Sequence, residues 1–197
     1  MSNEVILGSQ SPRRKEILSF FSIPFRQVHS QFDETTVPFR GDPAAFVKTI
    51  AKQKALALEP QFPNSVILTA DTTVYQNGKL FEKPETMQDA YAMLRELVGK
   101  EHQVFTGVAV IHEKNLYLDV EETRVHFCEL TDPEIHAYAK AIHPLDKAGG
   151  YGIQKAGSLI VKRIEGCYYN VMGLPLQTVR RLLLKAGIDL WDYVKSV

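Results

Sequence analysis

Four side chains with anion-binding chemistry crowd one short stretch of this 197-residue chain: Ser9, Ser11, Arg13 and Arg14. Ser11-Pro12 reads as the N-cap and first position of a helix, where the missing proline N–H costs nothing. A helix N-terminus already carries about half a positive charge, so acids belong in its first turn. A capping box would place Glu or Gln where Arg14 stands. Two guanidinium groups, two hydroxyls and free backbone N–H groups at one point suit an anion. The bland alternative, both arginines in solvent, serves one arginine better than the whole cluster.

Further along, the run Ser65 to Ala70 ends in Asp71. In open α/β sheets ligands sit beyond the carboxyl ends of strands. An acid placed there serves as metal ligand, general base or helix cap. The cap is the weak choice, because Thr72 to Tyr75 continue as strand. Asn77-Gly78 predicts a tight hairpin turn. The returning arm, Lys79 to Phe81, brings Glu82 and Lys83 back towards Asp71 and Thr72. Lys54 lies in the middle of an apolar helix face made by Phe46, Val47, Ile50, Ala51, Ala57 and Leu58. It either snorkels to water or aims inward at an anion, and spacing does not choose. Asp33 and Glu34 lie in a polar loop, where such pairs are routine. Asp146 to Gln154 is rich in glycine (Gly149, Gly150, Gly152), which allows close backbone approach, with Asp146, Lys147 and Gln154 as polar ends.

The elements that must position these groups alternate between strand and helix. Val5 to Leu7 and Phe25 to Val28 predict short strands around a helix with Ile17, Leu18 and Phe21 on its apolar side. Asp42-Pro43 opens the Lys54 helix, and Thr86 caps another that Gly99 stops. His102 to His112 and Leu116 to Leu130 predict antiparallel strands. Thr131-Asp132-Pro133-Glu134 is a capping box for a helix carrying Ile135, Tyr138, Ala139 and Ile142. Ser158 to Ile164 predicts a strand, and Tyr168 to Val171 an extended approach to a last helix beyond Pro175. Trp191 is expected to anchor the C-terminal tail.

Composition narrows the function. The chain is 45% hydrophobic and 23% charged, with 23 basic against 23 acidic residues. Zero net charge gives no general field for nucleic acid or anionic lipid, so positive charge must be local. Cys128 and Cys167 match no metal or redox spacing and are expected as reduced, buried thiols. No secretory pattern precedes Val5 and no apolar run would span a bilayer, so the expected compartment is the cytoplasm.

Ser9-Gln10-Ser11-Pro12-Arg13-Arg14, Ala70-Asp71-Thr72, Glu82-Lys83-Pro84, Asp146-Lys147-Ala148-Gly149 and Tyr151-Gly152-Ile153-Gln154 together resemble the Maf family of nucleoside triphosphate pyrophosphatases. The resemblance runs from about Val5 to Gly187, with the motifs in family order. Three small departures are Gly8 where Ala is common, Gln10 where Gly is usual, and Thr69 where Gly often precedes Ala-Asp. The resemblance implies one α/β domain over residues 1–197. It has an elongated mixed sheet, flanking helices and two lobes around a central cleft, similar to inosine triphosphate pyrophosphatases. It further implies hydrolysis of a nucleoside triphosphate to monophosphate and pyrophosphate, with dTTP and UTP preferred, and commonly a homodimer. A divalent cation (Mg or Mn) on Glu34 and Asp71 is implied with it, and Asp71 is the better general base. Lys83 joins these two among the catalytic residues. Ser9, Ser11, Arg13, Arg14 and Lys54 then hold the polyphosphate with Lys83, while Thr72 and Gln154 meet the base. The rival from another class is a nucleotide-binding regulator of cell division without turnover. Against it stand the two acids, which would repel an anion held for binding alone.

Overall fold

The computed structural model describes residues 4–195. One seven-stranded mixed sheet forms the spine. In chain order its first strands are β1 (Val5–Gly8) and β2 (Phe25–Val28), with helix α1 (Pro12–Leu18) between them. Helix α2 (Pro43–Leu58), the long strand β3 (Val66–Gln76), its hairpin partner β4 (Lys79–Phe81) and helix α3 (Met87–Leu97) follow. Strands β5 (Glu101–His112) and β6 (Asn115–Phe127) come next, then α4 (Asp132–Ile142) and the short α5 (Gly157–Ile160). The chain finishes with β7 (Val161–Glu165), α6 (Tyr168–Val171) and α7 (Leu176–Lys185). The strand order is β2-β1-β3-β5-β6-β7, with β4 attached to β3.

The feature that matters for function is a fork along β3. Its first half pairs in parallel with β1 as far as Gly8 opposite Thr69. Its last residues pair antiparallel with β4 from Val74 opposite Phe81. On the other side β5 pairs with β3 without a break from Ile67 to Tyr75. Ala70, Asp71, Thr72 and Thr73 therefore have a strand neighbour on one side only among the described pairings. At this gap the chain leaving β1 and the chain leaving β4 splay apart, and a cleft opens between them.

The apolar core divides accordingly. Val5, Leu7, Ile17, Leu68 and Leu182 pack on one face of the β1 end, and Ile6, Ala51, Leu58 and Ile67 on the other. Beyond the fork, Phe81, Leu94, Leu97, Val104 and Ile135 form a second body with α3 and α4. Helix α2 lies close on the sheet because β5 carries Gly107, where a Cβ would stand 2.5 Å from the Val47 backbone. Gly107 is also the register partner of Asp71. The helix carrying Lys54 is thus pressed down where the strand carries its acid.

Four local expectations need correction. The Ser158 to Ile164 stretch starts as a helical turn, and only Val161–Glu165 is strand; short apolar runs do not distinguish the two states by periodicity. Tyr168–Val171 is helical rather than extended. Trp191 is 68% exposed, and the tail is fixed instead by buried Leu190 and by the Tyr193 carbonyl accepting from the Ser22 N–H. Cys128 and Cys167 are free but only half-buried.

Candidate active site

The cleft at the fork has a volume of about 880 Å³, within the usual range for small-molecule sites. Its walls include Ser9, Ser11, Arg13, Arg14, Glu34, Lys54, Asp71, Thr72, Lys83 and Gln154. All ten residues singled out from the sequence therefore border one space, although they come from six separate segments.

At its floor stands a three-member charge cluster. Lys54 is buried, and its Nζ lies 2.8 Å from Asp71 Oδ1 and 2.7 Å from Glu34 Oε1. Lys54 does not snorkel: it projects from α2 inward to two carboxylates. Asp71 is buried as well, held by β3 at the fork. Glu34 reaches in from a single turn of 3-10 helix that Asp33 caps by accepting from the Thr35 N–H. This division of labour between adjacent acids answers which of them faces the site. Burial works against the Glu34 carboxylate, but Lys54 outweighs it, with Lys83 and Arg14 adding to the effect, and Glu34 is held below the ordinary carboxylate value. Lys83 itself is exposed at the rim.

The arginines form the second wall. Ser11 caps α1 by accepting from the Arg14 N–H, as its sequence position predicts. The Arg14 guanidinium then turns inward. Its Nε donates to the Gly173 carbonyl at 2.7 Å, Nη2 to Thr72 Oγ1 at 2.8 Å and Nη1 to Ser9 Oγ at 3.3 Å. A guanidinium has five N–H donors, so roughly two remain for a ligand. Burial lowers the Arg14 pKa, Asp71 and Glu34 pull it back up, and Arg13 lowers it further. Gly173 has φ +102°, and a Cβ there would lie 3.2 Å from Thr72 Oγ1; only glycine combines that backbone with so close an approach. Arg13 instead spans the cleft to the far body, donating to the Asp146 carboxylate at 2.6 Å and to its carbonyl at 3.0 Å. Lys147 braces Asp146 while donating to the Ile142 and His143 carbonyls at the end of α4. Burial disfavours the Asp146 carboxylate, yet Lys147 and Arg13 hold its pKa below the usual range.

The glycine-rich segment closes the third side. The Gly149 N–H donates to the Glu82 carbonyl at 3.0 Å, tying this segment to the one that carries Lys83. The Tyr138 hydroxyl both donates to the Gly152 carbonyl and accepts from its N–H. Tyr151 meets buried His102 at 2.8 Å. Gln154 lies half-buried at the cleft edge, its amide 3.5 Å from Glu16. Thr72 has its hydroxyl engaged by Arg14 and, at 2.9 Å, by Thr106.

Sequence reasoning passed over Gly107, Thr106 and Asn170. Thr106 and Asn170 are fully buried, inside an apolar strand and the short helix α6, and no local pattern marks a buried hydroxyl or amide as part of a site. Gly107, a lone glycine within a predicted strand, was the readable signal of close backbone approach.

As a metal site, the donor set fits a hard divalent cation. Among the described residues no group of three or more His, Cys, Asp and Glu side chains could enclose an ion. Glu34 and Asp71 supply two carboxylates, the number that Mg²⁺ takes when water and phosphate complete its shell.

Residues 4–186 match the Maf-like protein family. A dTTP/UTP pyrophosphatase of Chlamydia caviae is 45% identical over 195 residues, covering 98% of this chain and 100% of that protein. One from Clostridium perfringens is 44% identical over 183 residues, covering 91% and 95% respectively. Among solved structures, the Staphylococcus aureus Ham1 protein aligns with a TM-score of 0.43 at 10% identity, over 63% of this chain and 71% of that one.

Proposed function

Because the chain belongs to the Maf family, we propose that it is a nucleoside triphosphate pyrophosphatase that hydrolyses dTTP and UTP to the monophosphate and pyrophosphate. The observation that carries this reading is the meeting of Lys54, Glu34 and Asp71 within 2.8 Å, beside an inward-facing Arg14. A triphosphate tail brings several negative charges into the cleft. The free N–H groups of Arg14, with Arg13, Lys54 and the rim lysine Lys83, neutralise that charge where it builds up in the transition state. Ser9 and Ser11 add hydroxyls at the turn. Asp71 presents one carboxylate oxygen to Lys54 and has the other for a water. That water attacks the α-phosphorus, its proton passes to Asp71, and pyrophosphate leaves with the electron pair of the α–β bridge. A divalent cation, Mg or Mn, would be held by Glu34 and Asp71 and would supply Lewis-acid stabilisation of the phosphate oxygens. The family resemblance assigns Thr72 and Gln154 to the base; the Gln154 amide suits its donor and acceptor edge, whereas the Thr72 hydroxyl is already engaged by Arg14 and Thr106.

The family resemblance also supports a homodimer and a cytoplasmic setting. No helix among the described residues is long and apolar enough to cross a membrane. The deciding experiment incubates the protein with a panel of nucleoside triphosphates and Mg²⁺ and identifies the products. Pyrophosphate from dTTP and UTP is expected, and Asp71→Asn should retain the fold while losing about 10²–10⁴-fold in kcat. Orthophosphate with the diphosphate would place the cut at the β–γ anhydride, and orthophosphate with the nucleoside would mean phosphomonoester hydrolysis as well. Binding without product would make it a regulator. Any of these results refutes the reading.

A further inference from the structure

Behind Arg14 runs a line of buried hydroxyls whose partners indicate their proton directions. Thr106 is fully buried on β5. Its Oγ1 lies 3.1 Å from the Asn170 carbonyl and 2.9 Å from Thr72 Oγ1. A carbonyl can only accept, so the single Thr106 proton goes to Asn170. Thr106 must then accept from Thr72, which spends its own single proton there. With its proton held by Thr106, the Thr72 hydroxyl is fixed in orientation and receives the Arg14 Nη2 proton at 2.8 Å. Asn170 is in turn immobilised, its amide donating to the Val104 carbonyl and to Thr123 Oγ1 at 2.9 Å each. Thr123 passes its proton on to the Cys167 carbonyl. Every donor along this line points away from the guanidinium, back into the protein.

We propose that Thr106 is a positioning residue: by accepting the Thr72 proton it holds the Thr72 hydroxyl where that oxygen receives the Arg14 Nη2 proton, and so aims the guanidinium into the cleft. The inference rests on the proposed function only in that Arg14 meets an anion there. Thr106 lies outside the cleft lining and acts only through Thr72. Valine at this site keeps the shape and removes the acceptor. Its methyl also needs roughly 3.5 Å from an oxygen where the hydroxyl sits closer, so Thr72 is pushed off its bond and Arg14 loses an anchor.

The test measures steady-state kinetics with UTP and calorimetric binding of inorganic tripolyphosphate, for wild type and for Thr106→Val. Loss of one charge-assisted contact to an interaction made in ground and transition states alike predicts KM and tripolyphosphate Kd raised about tenfold, with kcat within about twofold. Thr106→Ser, which restores the hydroxyl, should return both values to within about twofold of wild type. In an Arg14→Ala background, Thr106→Val should add nothing, because the two changes remove the same interaction. Should Thr106→Val fail to fold, Thr106→Cys, with a weak sulfur acceptor of similar volume, carries the same comparison. Unchanged KM and Kd, or effects that add to those of Arg14→Ala, overturn the proposal, as does a wild-type protein that binds no tripolyphosphate. Tripolyphosphate binding with no pyrophosphate released from UTP would instead refute the enzymatic reading and leave the relay to be judged by the Kd series alone.

Discussion

Replacing Lys54 by methionine isolates the charge cluster from the rest of the fold. The methionine retains most of the stem volume and removes the ammonium that lies 2.8 Å from Asp71 and 2.7 Å from Glu34. The two acids are not equally exposed. The Asp71 side chain is 10% accessible and the Glu34 side chain 46%. Glu34 can turn into water, so losing its partner there costs at most about 1 kcal/mol. Asp71 cannot, and breaking a buried pair by removing one member costs about 3–5 kcal/mol. The predicted loss for Lys54→Met is therefore about 3 kcal/mol or more, a fall in Tm of roughly 6–12 °C for a chain of this length. Removing both members is different, since no buried charge is then left over. Lys54→Met combined with Asp71→Asn should lie within about 1 kcal/mol of the wild type, so the coupling energy is at least about 2 kcal/mol, larger by whatever Asp71→Asn alone costs. Urea unfolding followed by far-ultraviolet circular dichroism measures all four corners of this cycle. Both variants lose pyrophosphate release, so stability is the discriminating readout. A loss below 1 kcal/mol in the single variant, or a double variant no more stable than the single, would show that the pair is not the buried unit described.

Two further outcomes test other parts of the site. Burial, with a smaller contribution from His126, pushes the His102 pKa down to about 3 from an ordinary 6.5. Between those values the unfolded chain binds the proton and the folded one does not. The stability that His102 contributes is therefore complete above 6.5 and is lost as pH falls towards 3. Acidifying from about pH 7.5 to about pH 5 should cost roughly 2 kcal/mol through this ring alone. His102→Gln should show a correspondingly flatter profile in urea titrations, and parallel profiles would remove His102 as the titrating group. At Gly107 a methyl would meet Val47 backbone atoms at 2.5 Å, which a flexible side chain cannot relieve. Gly107→Ala should cost about 2 kcal/mol by overpacking and lower kcat with UTP, because α2 and Lys54 move off Asp71. Wild-type stability and turnover in that variant would refute the close-approach argument.

What could be read from the sequence follows the range of the forces involved. Caps, turns and amphipathic faces are local. Ser11, Asp42 and the Thr131–Glu134 box all stand where their spacing put them. The anomaly at Arg14 was legible for the same reason, since it breaks a local rule. Lys54 was ambiguous because a helical wheel gives direction but not destination, and its partner Asp71 is 17 residues away in sequence. The Arg13–Asp146 contact, separated by 133 residues, is set by how two bodies meet across the fork, which no window of the chain contains. Thr106 and Asn170 were silent because a buried polar group is recognised by its partners, and every partner here is distant in sequence.

The departures from the family pattern show the same limit from the other side. Read along the chain, Gly8 in place of alanine and Thr69 in place of glycine are two unrelated small changes. In the sheet they are register partners on β1 and β3. A Cβ on Gly8 would lie 2.6 Å from Thr69 Cγ2 and 2.5 Å from Leu58 Cδ1. Thr69 is fully buried and donates from its hydroxyl to the Ala51 carbonyl on α2 at 2.6 Å. The space that a methyl would fill on one strand is filled here by the threonine of its neighbour, which gains an extra tie to the Lys54 helix. Thr69 and Leu58 together fill the space over Gly8, two residues before Asp71, so the two positions share one packing contact at the floor beneath the charged cluster.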